Sequence, residues 1–238
     1  MGLIYSPKIV TSGLIMHLDA ADKNSYPGSG TTWYDLSGNN SNGTLVNGLL
    51  YSNLRGGAFT MDGGDETITF SSSILDTTLP SNSFTLISVV EAANIVYPRS
   101  THPFSIYGNP TVSSKGWQAG EGTSDTYINI EVSDGTNYTY GYLYPTAQIN
   151  TIYHRVFTVD RTAGVTSTYY INGQQIGLVT APTVTGTIYT AGSTIQFGNN
   201  VGWRFIGNIY QFQMYNKVLT PAEIQQNYQQ HRTRFNLS

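Results

Sequence analysis

Apolar residues recur at every second position along most of this chain, the spacing that puts them on one face of extended backbone. In the first such run Leu14, Met16 and Leu18 alternate with Ile15, His17 and Asp19. Strand character returns at Ala58 to Asp62, Thr67 to Phe70, Ser83 to Glu91, Pro103 to Tyr107, Trp117 to Glu121, Thr126 to Val132 and Asn137 to Tyr144. His154 to Asp160, Thr166 to Ile176, Ile195 to Gly198 and Phe205 to Asn216 complete the series. Two hairpins are marked by their dipeptides. Ser133-Asp134-Gly135-Thr136 and Asn172-Gly173 both supply the positive φ angles of a primed turn. Between Asp22 and Thr44 the Gly, Ser, Asn and Asp content predicts a long ordered crossover loop, pinned by Trp33, Tyr34 and Leu36.

Near the end of the chain the period changes from two to that of a helix. Thr220 stands at the N-cap, Pro221 at the first helical position and Glu223 three residues after the cap, the arrangement of a capping box. Leu219 and Ile224 occupy the hydrophobic-staple positions, and Tyr228 continues the apolar stripe. Roughly a dozen strands, one terminal helix, no internal repeat and no linker between two cores predict an all-β, two-sheet antiparallel sandwich with one short C-terminal helix. Residues 1–12 are expected to form an N-terminal arm and residues 13–238 a single domain.

Composition narrows the chemistry. The chain of 238 residues is 39% hydrophobic and 13% aromatic, with 18 tyrosines, which supplies a core and suits pleated sheets. A net charge of -3 with no basic cluster argues against a nucleic-acid partner. No run approaches the apolar length of a membrane span, and no signal peptide is expected. The absence of cysteine excludes disulfides, thiolate catalysis and sulfur-ligated metals, and permits folding in a reducing compartment.

Several segments carry a resemblance to a known family. Gly13-Leu14-Ile15-Met16-His17-Leu18-Asp19-Ala20, the loop Tyr26-Pro27-Gly28-Ser29-Gly30-Thr31-Thr32-Trp33 with Asp35-Leu36-Ser37-Gly38, Met61-Asp62-Gly63-Gly64-Asp65-Glu66, Tyr170-Ile171-Asn172-Gly173 and Gly207-Asn208-Ile209 through Leu219-Thr220 appear in this order. Together they resemble the LamG-like, concanavalin A-like lectin/glucanase superfamily, in the variants found in phage structural proteins. The resemblance spans about residues 12 to 235 and implies a concanavalin A-like jelly roll. It departs from the family at Ile209-Tyr210-Gln211-Phe212-Gln213, where LamG-like domains often read I-D-E-V-R, so two acidic groups are replaced by neutral ones.

Candidate sites follow from residue chemistry. The superfamily's glycosidases set two carboxylates on one strand face as E-x-D-x-E, and none of Glu66, Glu91, Glu121, Glu131 or Glu223 has an Asp two positions later. There is no G-x-S-x-G elbow and no H-E-x-x-H pair, so no catalytic residue is assigned and the protein is expected not to be an enzyme. His17 and Asp19 share a strand face and read as an ordinary surface pair. Asp62, Asp65 and Glu66 offer hard oxygen ligands of the kind calcium takes, or else a turn in which Asp accepts backbone N–H bonds. No metal site and no cofactor are expected.

The least ordinary feature is a row of tyrosines. Tyr138, Tyr140, Tyr142 and Tyr144 alternate on one strand and project from one face. They read either as a core or cross-strand packing face or as a platform for sugar rings or protein, with the tyrosines nearest the strand ends the more exposed. Trp203, in Gly202-Trp203-Arg204, is a further ligand-contact candidate at a loop rim. The resemblance implies a non-catalytic phage virion surface protein, a capsid decoration or a tail or fibre component. Its expected partners are neighbouring virion proteins or further copies of itself, and cell-surface glycans; its expected location is the virion surface after synthesis in host cytoplasm. The alternative is a carbohydrate-binding module outside any virion.

Overall fold

The computed structural model describes residues 8–70, 82–93, 104–106, 113, 115–121, 128–143, 148–188, 194–200 and 203–237. In chain order the strands are β1 (Leu14–Asp19), β2 (Thr32–Trp33), β3 (Gly43–Val46), β4 (Leu50–Ser52), β5 (Ala58–Asp62), β6 (Thr67–Phe70), β7 (Phe84–Ala92), β8 (Phe104–Ile106) and β9 (Lys115–Glu121). They continue as β10 (Ile128–Asp134), β11 (Tyr138–Leu143), β12 (Ile152–Asp160), β13 (Val165–Ile171), β14 (Gln174–Ala181), β15 (Ile195–Phe197), β16 (Asn199–Asn200), β17 (Trp203–Arg204) and β18 (Ile206–Tyr215), followed by helix α1 (Pro221–Phe235).

Two antiparallel sheets form the sandwich. The first runs β14-β13-β12-β7-β18-β5-β4, with β1 also paired to β18, and the second runs β11-β10-β9-β8-β15-β6-β3-β2. Strand β18 takes β7 along one edge, while β5 (through Ile206–Ile209) and β1 (through Gln211–Tyr215) share the other. The space between the sheets is filled by interlocking aromatic rings. Phe212 meets Trp33, Phe70 and Phe197, and Trp117 meets Phe84 and Phe157, with centroids 4.6–5.9 Å apart. Each large apolar side chain removed from water here contributes about 1.5–3 kcal/mol.

The outer face of the first sheet is covered as well. Strand β7 sends Phe84, Leu86 and Val90 into the intersheet core, whereas Ile87 and Val89 point the other way, into clusters with Ile224 and with Tyr228 and Phe235 of α1. The helix begins as its sequence specifies. Thr220 Oγ1 accepts from the Glu223 N–H (3.3 Å) while the Glu223 carboxylate accepts from the Thr220 N–H (2.9 Å), and Lys217 Nζ reaches the same carboxylate at 2.6 Å. It ends where Asn236 adopts the left-handed conformation at φ +52°.

Polar groups buried beneath the helix tie it down. Asn227 Oδ1 accepts from the Val10 N–H (2.8 Å), Asn227 Nδ2 donates to the Tyr215 hydroxyl (3.1 Å), and that hydroxyl donates to the Val10 carbonyl (2.9 Å). The segment at Val10 and helix α1 therefore converge on the last strand. Thr85 bridges the strand-to-helix turn, donating to the Lys217 carbonyl and accepting from the Leu219 N–H. His154 on β12 and His231 on α1 are fully buried with ring centroids 5.3 Å apart.

Three expectations change. The segment between Asp22 and Thr44 is not all loop, because β2 lies in it and β3 begins at its end, the two forming one edge of the second sheet; Trp33 is fully buried, but Tyr34 is exposed. The Asn172-Gly173 hairpin forms with both φ angles positive (+48° and +79°), yet its second strand runs on to Ala181. His17 and Asp19 are not a surface pair. Asp19 is bridged by Arg234 of α1 (2.7 Å) and by Gln211, and His17 Nε2 is buried, because α1 lies over the strand face the two residues share.

The lateral edge of the sandwich is closed by a reciprocal glycine contact. A Cβ on Gly141 of β11 would lie 2.5 Å from Val179 Cγ2 of β14, and one on Gly177 of β14 would lie 2.8 Å from Leu143 Cδ2 of β11. Each glycine accepts the other strand's side chain. Gly141→Val is expected to force the two edges apart and lower stability by about 1–3 kcal/mol in a denaturant titration.

The buried histidines set the acid limit. Burial brings the His154 imidazole down to about 3, and burial, with His154, His17 and Arg234 adding positive charge, drives His231 well below its usual value. Both are neutral when folded and bind protons near pH 6.5 when unfolded. The unfolded chain therefore holds more protons below that pH, and stability is expected to fall on acidification from about pH 6.5 by about 1.4 kcal/mol per pH unit per histidine. Urea midpoints at successive pH values would show this, with His154→Gln flattening the acid limb.

Candidate functional site

The edge contact that buries Thr139, Gly141 and Leu143 partly against β14 turns the alternate residues of β11 away from the sandwich. Tyr138 is half-buried, and Tyr140 and Tyr142 are 56% and 45% exposed. Their rings form a ladder. The Tyr138 and Tyr140 centroids are 6.0 Å apart and those of Tyr140 and Tyr142 are 5.5 Å apart. The described part of the row is thus not a core face: Tyr140 and Tyr142 face solvent more than Tyr138 does, and Tyr144 lies outside the described residues. Packing against β14 decides this, because it takes the opposite face of the strand.

Register extends the ladder into a band. Antiparallel pairing places Tyr140 opposite Glu131, and then Gln118, Ser105, Gln196, Thr69, Thr44 and Thr32 in line across all eight strands of the second sheet. These positions alternate with residues of the intersheet core, and those whose burial is described are partly or fully exposed except Gln118, which is buried. On β9 the flanking Gly116 and Gly120 are buried as well, so the exposed part of this face lies along β11 and its neighbour Glu131. The Tyr138 hydroxyl donates to Glu131 Oε2 at 3.2 Å, and burial together with that carboxylate pushes the phenol pKa up, so Tyr138 stays protonated as a donor. An apolar ring platform beside a carboxylate is suited to a ligand with an apolar face and a hydroxyl rim.

The turn feeding β11 is held by Asp134. Its carboxylate accepts from the N–H groups of Thr136 (3.0 Å), Asn137 (2.7 Å) and Gly186 (3.0 Å). Only Gly135 has positive φ (+84°), so the Asp of this Asp-Gly pair works through its side chain and not through a left-handed backbone. Burial raises the Asp134 carboxyl, but these bonds outweigh it and bring it down to about 2.

The other candidates sit apart from the ladder. Trp203 is described by its backbone alone, paired with Asn200 in the β16–β17 ribbon. Asp62 Oδ1 accepts from the Gly64 N–H at 2.8 Å, the turn geometry rather than an open ligand, and Asp62 and Glu66 close around Gly64. Burial and the neighbouring Asp62 raise the Glu66 carboxyl. Among the described residues no group of three His, Asp or Glu side chains has an arrangement that could hold a metal ion. Nor is any helix among them long and apolar enough to cross a membrane. Sequence reading missed Glu131, whose place beside the tyrosines follows only once the Asp134 turn sets Ser133 opposite Tyr138.

A family model described as the concanavalin A-like lectin/glucanases superfamily matches residues 62–225. Comparison of the sequence with curated proteins finds no match. Among solved structures the chain is similar to domain 4 of AbnA, a GH43 extracellular arabinanase from Geobacillus stearothermophilus, in complex with arabinotriose. Identity is 19% over 91% of this chain and 98% of that one, with a TM-score of 0.69. It is also similar to the binding domain of botulinum neurotoxin DC in complex with rat synaptotagmin II (17%, 92% of this chain, 52% of that chain, TM-score 0.69). The same toxin domain in complex with SialylT gives 17%, 92% and 51%, with a TM-score of 0.66. The chain spans about half the length of the toxin domains. At these identities the likeness shows the jelly-roll fold.

Asp134 offers a direct test of how the ladder strand is held. Its lowered pKa means that the contribution is present above about pH 4 and is lost as the pH falls toward 2. Asp134→Ala is expected to cost about 1–2 kcal/mol at neutral pH and to remove that part of the acid loss in denaturant melts.

Proposed function

The chain belongs to the concanavalin A-like lectin/glucanase superfamily, and on that premise we propose that it is a non-catalytic binding component displayed on a phage virion, holding glycan on the outer face of its second sheet. The observation that carries the reading is the Tyr138–Tyr140–Tyr142 ladder, with Tyr140 and Tyr142 exposed and Glu131 in register beside them. Stacked phenols present a rigid apolar surface at small entropic cost, and the partly exposed Glu131 carboxylate lies beside them, facing the hydroxyl rim such a ligand would carry. Two similar structures support the same reading, one in complex with arabinotriose and one with SialylT.

The non-catalytic part rests on the sequence, in which no glutamate is followed two residues later by aspartate. No cofactor is part of the proposal. The virion setting rests on the likeness of the opening strand, the Tyr26-to-Trp33 loop and the Asn172-Gly173 hairpin to phage structural proteins. A cysteine-free chain can fold in a reducing host cytoplasm and then serve outside it.

A glycan array probed with the wild-type chain and with a Tyr140→Ala/Tyr142→Ala variant tests the binding face. Both side chains are exposed, so the variant is expected to fold normally and to lose roughly tenfold or more in affinity. An array with no wild-type signal would overturn the glycan reading, and absence of the chain from purified particles would overturn the virion setting.

A further inference from the structure

Where the end of α1 meets the first sheet, away from the tyrosine ladder, a cleft of about 290 Å³ opens between Arg55, Glu91, Gln148, Asn150, Asn172 and the terminal residues Phe235–Leu237. It lies near the lower bound of the roughly 300–1,000 Å³ that small-molecule sites occupy.

Backbone strain converges on this cleft. The described non-glycine residues with positive φ are Asn40, Asn47, Arg55, Asn150, Asn172 and Asn236, and the last four of these line it. Asparagine tolerates that conformation; arginine has no local means of compensating it. Arg55, at φ +52° and ψ +29°, is held there because its carbonyl accepts from Arg234 Nε (3.1 Å), and Arg234 is itself anchored to Asp19. A strained residue whose guanidinium is left exposed at a cleft is an arrangement that ligand clamps show.

The lining is polar and uncommitted. Glu91 uses Oε2 to accept from Tyr210 (2.9 Å) and Asn208 (3.0 Å), which fix the carboxylate and leave Oε1 without a hydrogen bond among the described residues. The Arg55 guanidinium and the side-chain amides of Gln148, Asn150 and Asn236 likewise make no hydrogen bond among the described residues, and Arg55 and Glu91 do not pair with each other. An anion would meet the Glu91 charge and a cation the Arg55 charge. A lining that offers both donors and acceptors instead fits a neutral ligand bearing both on each group, which is to say hydroxyls.

We propose that this cleft binds one unit of a neutral, hydroxyl-rich ligand, a monosaccharide or the end of an oligosaccharide, with Arg55 and the Glu91 carboxylate as its principal donor and acceptor. It stands independently of the ladder, so the two sites fail or succeed separately. The probes are neutral mono- and disaccharides (glucose, galactose, mannose, arabinose and their dimers) at millimolar concentration, with inorganic phosphate and glycine as charged controls. Binding is followed by backbone amide NMR shifts.

Neutral sugars are expected to shift the amides of Asn150, Asn172 and Asn236, and the Tyr140→Ala/Tyr142→Ala variant is expected to keep those shifts. Arg55→Gly removes the guanidinium while relieving the left-handed strain, so it is expected to melt at or above the wild-type temperature yet bind roughly tenfold or more weakly. Glu91→Gln, which retains an oxygen acceptor for Tyr210 and Asn208, is expected to weaken binding as well. No shifts at these amides with any neutral sugar would overturn the proposal. So would unchanged affinity in Arg55→Gly, or shifts produced by phosphate or glycine in place of sugars.

Discussion

The structure depends on burying β7 and β18 on both faces. A half-buried strand needs only one apolar side, but these two central strands carry large residues on both, and the helix is the only described element that covers the second. Phe212 and Met214 of β18 pack into the intersheet core, while Gln211, Gln213 and Tyr215 lie beneath α1. Uncovered, that outer face would expose Ile87, Val89 and Val156 to water and offer adhesive surface to other chains. The helix is therefore a third layer of the domain, and its capping box and the Asn227–Tyr215–Val10 hydrogen bonds hold it in that position.

Covering one outer face leaves the other for contact. Because α1 occupies the outside of the first sheet, it is at the β11 edge of the second sheet that large side chains such as Tyr140 and Tyr142 reach solvent. Glycine shapes that edge. Gly141 and Gly177 let the edge strands of the two sheets come together, and the same approach that takes Leu143 inward sends the tyrosines outward. Packing and presentation are thus one event at this edge.

The layer beneath the helix carries an unusual polar load for a buried surface. His17, His154 and His231 have ring nitrogens without partners among the described residues, and their burial is tolerated only while the rings stay neutral. Arg234 joins this layer to the cleft, since it bridges Asp19 and also holds the left-handed Arg55 turn. The two candidate surfaces have different foundations: the ladder rests on the sandwich edge, and the cleft on the helix terminus.

Much of the fold could be read from local chemistry. Periodicity located the long strands, Asn172-Gly173 located a hairpin, and Thr220, Pro221 and Glu223 located the helix start, because each depends on residues within a few positions of one another. The strands β2, β3 and β4 escaped, since two to four residues among glycine and asparagine cannot display a period and form only by pairing with distant partners. That Tyr138, Tyr140 and Tyr142 share a face was likewise determined by the sequence alone. Which way that face points was decided by Val179 fitting against Gly141, a contact between residues far apart in the chain, and the convergence of Arg55, Glu91 and Asn236 on one cleft has the same origin. Local rules specify what a segment presents; only tertiary packing specifies to whom.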